Sequence, residues 1–160
     1  MRWRKRLSLV LAARRVTETL PARADVPAAP GARGSLFLRH VDAGSCNGCE
    51  LELASAFGPV YDAERVGARL VAAPRHADGL VVTGPVTKNM ARPLADALDA
   101  LARPRIVVAL GDCAIDCGAF AGAYGVAGSV VSLVGASATV PGCPPRPEAI
   151  LGVLRALADR

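Results

Sequence analysis

Five cysteines carry the reactive chemistry of this 160-residue chain. Cys46 and Cys49 form a C-x2-C pair in "DAGSCNGCELE", with a helix-like run behind them. Cys113 follows after 63 intervening residues, Cys117 after three more, and Cys143 after a further 25. Thiolates bind metals and carry redox chemistry, and three arrangements suit these spacings. A zinc site would use Cys46, Cys49, Cys113 and Cys117 as C-x2-C…C-x3-C. A dithiol switch would use the C-x2-C pair and leave three cysteines idle. A 4Fe–4S cluster takes four thiolates, and its size lets them come from separate loops. The odd count argues against a disulfide framework. So does the lack of a convincing secretory signal in "MRWRKRLSLVLAARR", where two arginines close a short apolar run.

The last two cysteines differ in setting. Cys117, in "AIDCGAF", has apolar neighbours and reads as a packed core thiol. Cys143, in "VPGCPPRP", lies among Pro141, Pro144, Pro145 and Pro147, with Gly142 beside it. Backbone fixed on both sides of a thiol suits a ligand whose sulfur must be held still. Glycines at 44, 48, 111 and 142 would let backbone N–H groups approach a bulky sulfur-rich group. Cys143 therefore favours the cluster, with zinc the serious competitor.

The elements around these residues read as an α/β domain. "SLFLRHV", "ARLVAAP", "GLVVTG" and "RIVVALG" are short apolar runs bounded by breakers, and "GSVVSLVG" reads as one more strand. Helix-length segments lie in "ELELASAFG", "TKNMARPLADALDALA" and "PEAILGVLRALADR". Pro147 suits the first turn of the last helix, and Glu148 suits its N-terminal dipole. The alternation predicts a compact three-layer fold on a mostly parallel sheet covered on both faces. Each cysteine group then falls where a strand gives way to a loop. In open α/β sheets the loops at the carboxyl ends of strands converge on one rim, so thiols distant in sequence would meet there.

Composition narrows the function. Residues 1–39 hold nine Arg and Lys against two acids, Glu18 and Asp25, whereas residues 40–160 hold ten against twelve. The basicity thus belongs to an N-terminal arm and linker over residues 1–34, ahead of the domain expected at 35–160. Residues 1–19 place Trp3, Leu7, Val10 and Leu11 at helical spacing among arginines, as a surface-seeking helix or a solvated terminus would. "LPARADVPAAPGARG" reads as a linker or wrapping arm. No basic, aromatic-studded patch marks the domain, so nucleic acid is not an expected partner. No apolar run approaches the roughly 20 residues of a membrane span.

Four stretches carry a family resemblance: "SCNGCELE", "ERVGARLVAAPRHADGLVVTGPVTKNM", "ALGDCA" and "VPGCPPRPEAILGVL". Together they resemble the small iron–sulfur subunit of membrane-bound, energy-converting NiFe hydrogenases of the formate hydrogenlyase type. That family is homologous to the B subunit of NADH–quinone oxidoreductase. The resemblance, from about His40 to Leu157, implies a flavodoxin-like fold and one 4Fe–4S cluster on Cys46, Cys49, Cys113 and Cys143, with Cys117 left out. It further implies a role in passing electrons, with no substrate bond made or broken by this chain. The implied partners are a large hydrogenase-like subunit, other iron–sulfur subunits and membrane subunits. The implied location is peripheral, on the cytoplasmic face of the inner membrane. The B subunit of the quinone-reducing branch carries two adjacent cysteines, whereas here Asn47 and Gly48 separate Cys46 from Cys49, which favours the hydrogenase-like branch.

Weaker signals surround the cysteines. Glu50 and Glu52 are either proton-carrying acids or solvated residues at a helix start. Arg75, His76, Lys88 and Met90 sit in passages that could meet a partner subunit, and Arg146 is placed to offset charge beside Cys143.

Overall fold

The computed structural model describes residues 19–160. The basic helix read over residues 1–19 falls almost wholly outside the described residues. Among the described residues are seven strands: β1 (Leu36–Asp42), β2 (Ala68–Leu70), β3 (Gly79–Thr83), β4 (Val86–Thr87), β5 (Ile106–Leu110), β6 (Val126–Gly128) and β7 (Ala138–Val140). Five helices accompany them: α1 (Gly48–Ala56), α2 (Ala91–Asp99), α3 (Asp112–Asp116), α4 (Val130–Val134) and α5 (Pro147–Leu157).

Five strands form one parallel sheet in the order β2-β1-β3-β5-β7. Counting only those five, this is the 2-1-3-4-5 order of doubly wound flavodoxin-like sheets. The centre follows from sequence: β3, "GLVVT", and β5, "IVVAL", are buried at every position, as strands covered on both faces must be. Alternate side chains feed two cores. Leu36, Leu38, Val81, Val108 and Leu110 meet Leu53 of α1 and the apolar side of α5. Leu80, Val82, Val107 and Ala109 meet Leu94 of α2, Ala114 of α3 and Val130 of α4. The expected three-layer α/β architecture is therefore the observed one.

Two segments depart from the sequence reading. "GSVVSLVG" holds the helix α4, not a strand. Ser129 and Ser132 form a reciprocal capping box, the Ser129 hydroxyl accepting from the Ser132 N–H at 3.1 Å and the Ser132 hydroxyl from the Ser129 N–H at 3.1 Å. That local cap outweighs the strand preference of three valines, of which only Val130 is buried. The second departure is a two-stranded antiparallel ribbon of β4 and β6, pairing Val86 with Gly128 and Thr87 with Val126.

Residues 21–34 run along α5. The N–H groups of Ala24, Ala29 and Gly34 donate to the carbonyls of Gly152 (3.1 Å), Leu157 (2.9 Å) and Ala158 (3.0 Å). Arg155 Nη1 donates to the Pro21 carbonyl at 2.8 Å. Any Cβ at position 152 would sit 3.0 Å from the Ala22 carbonyl oxygen, so glycine is what admits the arm.

Candidate metal centre

The loops after β1, β3, β5 and β7 meet at the carboxyl edge of the sheet, where a doubly wound fold places its ligands. They enclose a cavity of about 110 Å³ lined by Ser45, Cys46, Gly48, Cys49, Gly84, Asp112, Cys113, Gly142, Cys143 and Pro144. All four cysteines implied by the resemblance line it. Cys117 does not: it caps α3 in a left-handed conformation (φ 73°) and is half-exposed, neither core nor site. A zinc set that includes Cys117 thus lacks its fourth ligand in the cavity.

Each loop is fixed by its own short bonds. After β1, Asp42 Oδ1 accepts from the N–H groups of Gly44 and Ser45, both at 2.8 Å, and the Ser45 hydroxyl accepts from Asn47 N–H at 2.9 Å. Asn47, left-handed at φ 71°, turns the chain into α1, whose first turn carries Cys49. The β5 and β7 loops are latched together: Asp112 Oδ1 accepts from Gly142 N–H at 2.7 Å, and Asp112 N–H donates to the Gly142 carbonyl at 3.0 Å. That latch sets Cys113 beside Cys143. Gly111 (φ 90°) has no alternative, because a Cβ there would stand 2.5 Å from Cys49 Sγ.

The thiols divide into two pairs. Cys49 and Cys113 are buried, whereas Cys46 and Cys143 are exposed. Burial pushes the Cys49 thiol up to about 12, helped by the charge of Glu50 and by the neighbouring Cys113, Cys46 and Cys143. Burial also raises Cys113, as do Cys143 and Cys46, against a backbone hydrogen bond at Ala119 that lowers it. Cys49 and Cys113 thus both lie within electrostatic reach of Cys46 and Cys143. Among the described residues, no three His, Cys, Asp or Glu side chains are grouped as around one metal ion. The cavity is also large for an ion, since a space of roughly 10–15 Å³ already holds one water. Four convergent thiols, no cationic side chain in the lining and a space of several atoms fit a polynuclear sulfur-ligated group.

A polar network that the sequence did not announce backs the site. Glu50 accepts from the Ser45 hydroxyl at 2.5 Å and from the hydroxyl of fully buried Thr83. His40 Nε2 lies 2.9 Å from Thr83 Oγ1 and 3.7 Å from Glu50 Oε1. The Glu50 side chain is 16% exposed, so it is not a solvated helix-start residue; Glu52 takes no part in these bonds. His40 is lowered from its ordinary value, chiefly by burial, against the charges of Glu50 and Asp42. Arg75, His76 and Arg146 are exposed and outside the cavity lining. A larger cavity of about 480 Å³, between α2 and the segment leading into β7, contains no thiol or imidazole.

Fold and rim together define a doubly wound α/β protein formed around a thiol-lined pocket. The chain belongs to the family described as NADH ubiquinone oxidoreductase, 20 Kd subunit, which matches residues 46–157. It is 45% identical over 124 residues to the probable membrane-bound hydrogenase subunit mbhJ of Pyrococcus furiosus, covering 77% of this chain and 74% of that one. It is 41% identical over 117 residues to formate hydrogenlyase subunit 7 of Escherichia coli, covering 73% of this chain but 46% of that one. With the B subunit of the NADH-quinone oxidoreductase of Carboxydothermus hydrogenoformans it shares 39% identity over 104 residues, 64% of this chain and 63% of the relative. A chain in the structure of the membrane-bound sulfane sulfur reductase, an archaeal respiratory membrane complex, superposes with a TM-score of 0.68. It is 27% identical, and the match covers 79% of this chain and 70% of that one. A [NiFeSe] hydrogenase from Desulfovibrio vulgaris Hildenborough shares the fold, with a TM-score of 0.55 at 20% identity, over 74% of this chain and 57% of that one. The chain is thus a subunit of the complex I-like hydrogenase and NADH–quinone oxidoreductase family. No helix among the described residues is long and apolar enough to cross a membrane.

Proposed function

We propose that the chain is an electron-transfer subunit holding one 4Fe–4S cluster on Cys46, Cys49, Cys113 and Cys143. It would serve a membrane-associated oxidoreductase of the NiFe hydrogenase or formate hydrogenlyase type. The observation that carries this is the convergence of those four thiols, from three loops, on one small cavity that leaves Cys117 outside. The Asn47-Gly48 spacer and the hydrogenase relatives favour this branch over a B subunit of NADH–quinone oxidoreductase proper. Partners would be a large hydrogenase-like subunit, further iron–sulfur subunits and membrane subunits, with this chain peripheral on the cytoplasmic face of the inner membrane.

When bound, the cluster would supply one-electron chemistry at a potential set by its surroundings. The chain's own residues do the rest. Burial holds Cys49 and Cys113 as thiols in the metal-free chain, so ligation must displace their protons, and affinity rises with pH. The Asp112 latch and the Asp42 turn hold three loops in place before any metal arrives. Glu50, gripped by Ser45 and Thr83, ties the C-x2-C loop to β3 and places its carboxylate behind the thiols.

Anaerobic purification tests the reading. The expected product is brown, carries about four irons per chain and has a broad visible band that bleaches with dithionite. Cys143→Ser should abolish the band and Cys117→Ser should spare it. Colourless protein with one zinc, lost in Cys117→Ser and kept in Cys143→Ser, would overturn it.

A further inference from the structure

We propose that the exposed aromatic loop at Phe120–Tyr124, braced by Lys88, is the anchor on which the subunit covering the cysteine rim docks. That subunit would present an apolar recess edged by a carboxylate. The inference rests on the proposed function only for the identity of the rim to be covered.

The chain has three Phe, two Tyr and one Trp, and two of those six aromatics stand out of this one loop. Tyr124 is 91% exposed and Phe120 is 40% exposed. An isolated folded domain gains nothing from such exposure, whereas large rigid aromatics are the usual anchors of protein interfaces. The loop is also held ready. Lys88 N–H donates to the Gly125 carbonyl at 2.9 Å, and the β4–β6 ribbon closes the loop's far end. Lys88 Nζ lies 4.3 Å from the Tyr124 ring centroid, within cation–π range. A preformed patch loses little freedom on binding.

Its place is continuous with the thiols. The loop leaves from Gly118, where a Cβ would stand 3.1 Å from Cys113 Sγ. Lys88 follows β4, which packs on the C-x2-C loop: Thr87 N–H donates to the Ala43 carbonyl at 2.9 Å, and a Cβ at Gly44 would lie 2.3 Å from Thr87 Cγ2. The aromatic loop thus springs from beside Cys113, and Lys88 from the strand packed on the C-x2-C loop, so both border the rim that the covering subunit would meet. Lys88 sets the partner's chemistry, because among the described residues no carboxylate pairs with it. One face of the Tyr124 ring is taken by that ammonium, and the remainder is open to an apolar recess.

The test uses the tagged chain co-expressed with the other subunits of its own complex, the captured assembly being weighed by native mass spectrometry. Tyr124→Ala and Lys88→Glu should each lower the recovered complex by at least about tenfold, as anchor truncations do. Lys88→Arg should stay within about twofold, since a guanidinium keeps the charge and can also sit over the ring. Iron per chain and thermal midpoint of the captured chain should match wild type in all three, because both side chains are exposed. Restoration of a Lys88→Glu complex by exchanging one carboxylate of the neighbour for Lys would identify the contact. Wild-type recovery from Tyr124→Ala or Lys88→Glu would overturn the proposal. So would a fall in thermal midpoint that accounts for the loss, or the loss of a homodimer in place of the complex. A wild-type chain without iron whose assembly still depends on Tyr124 and Lys88 would sink the cluster and leave the docking surface standing.

Discussion

Helix α5 and the cysteine rim pose the same problem, since neither should face water alone, and the chain solves it for only one of them. Eight of the eleven residues of α5 are buried, so the helix is apolar on nearly every side. Residues 21–34 lie along it and bond to its backbone, giving it a cover from within the chain. At the rim the inner thiols Cys49 and Cys113 are buried, but Cys46 and Cys143 are exposed and nothing from the described arm reaches them. What a chain can bury with its own residues it buries during folding. What it leaves half-open, on loops already latched, is what it shares with something else.

The sharpest break in that contrast is a pair of truncations. Leu154→Ala, at 1% exposure in α5, should destabilise the domain by about 2–5 kcal/mol in denaturant titration. Cys143→Ser in the metal-free chain should stay within about 0.5 kcal/mol, as surface substitutions do, while abolishing metal uptake. Equal costs would mean that the rim is core and that the contrast is false.

The arm itself can be pried off. Gly152→Val puts branched atoms where a bare Cβ already meets the Ala22 carbonyl, and should cost about 1–3 kcal/mol. Hydrogen exchange should then show the amides of Ala24 and Ala29 losing protection while those of β3 and β5 keep theirs. If Ala24 stays protected, the arm has another anchor.

A smaller effect separates the two pairs of thiols. In metal-free protein at pH 8, iodoacetamide should modify exposed Cys46 and Cys143 well before Cys49, which is both buried and pushed up to about 12. Peptide mapping over time gives the order. Equal rates at all three would show the cavity opening freely.

The sequence made the scaffold legible where burial is two-sided. "GLVVTG" and "RIVVALG" announce β3 and β5 because an uninterrupted Val/Leu/Ile run has no other stable place. The last helix, from Pro147, is equally plain from its start signal and spacing. Legibility fails where a local bond decides. Ser129 and Ser132 turn three valines into a helix, and no periodicity in five residues can say so. β7 escapes notice because three residues, "ATV", carry too little pattern, although its loop stands out through Cys143. In the cavity, the family resemblance singles out the four thiols that line it, but not the groups that hold them. Thr83 looks like the end of a strand and His40 like an ordinary strand residue, and only the β1–β3 register brings them together behind Glu50. Lys88 gains its meaning in the same way, from a ring 36 positions further along the chain that no local pattern joins to it.

His40 offers the finest test of how dry the rim's inner side is. Burial lowers its value from 6.5, the Arg39 charge adds to that, and Glu50 and Asp42 act against it. The folded chain therefore binds a proton at His40 less readily than the unfolded chain does. Its neutral form contributes stability that is fully present above about pH 6.5 and is lost as pH falls through the lowered folded value. Between pH 7.5 and pH 5, wild type should lose slightly more stability than His40→Gln, which cannot titrate. The difference should be small, because two carboxylates oppose burial. Superimposable curves would mean that water reaches His40 in solution. A steeper loss in the variant would mean that the charged imidazole is favoured, with Glu50 and not burial dominating behind the thiols.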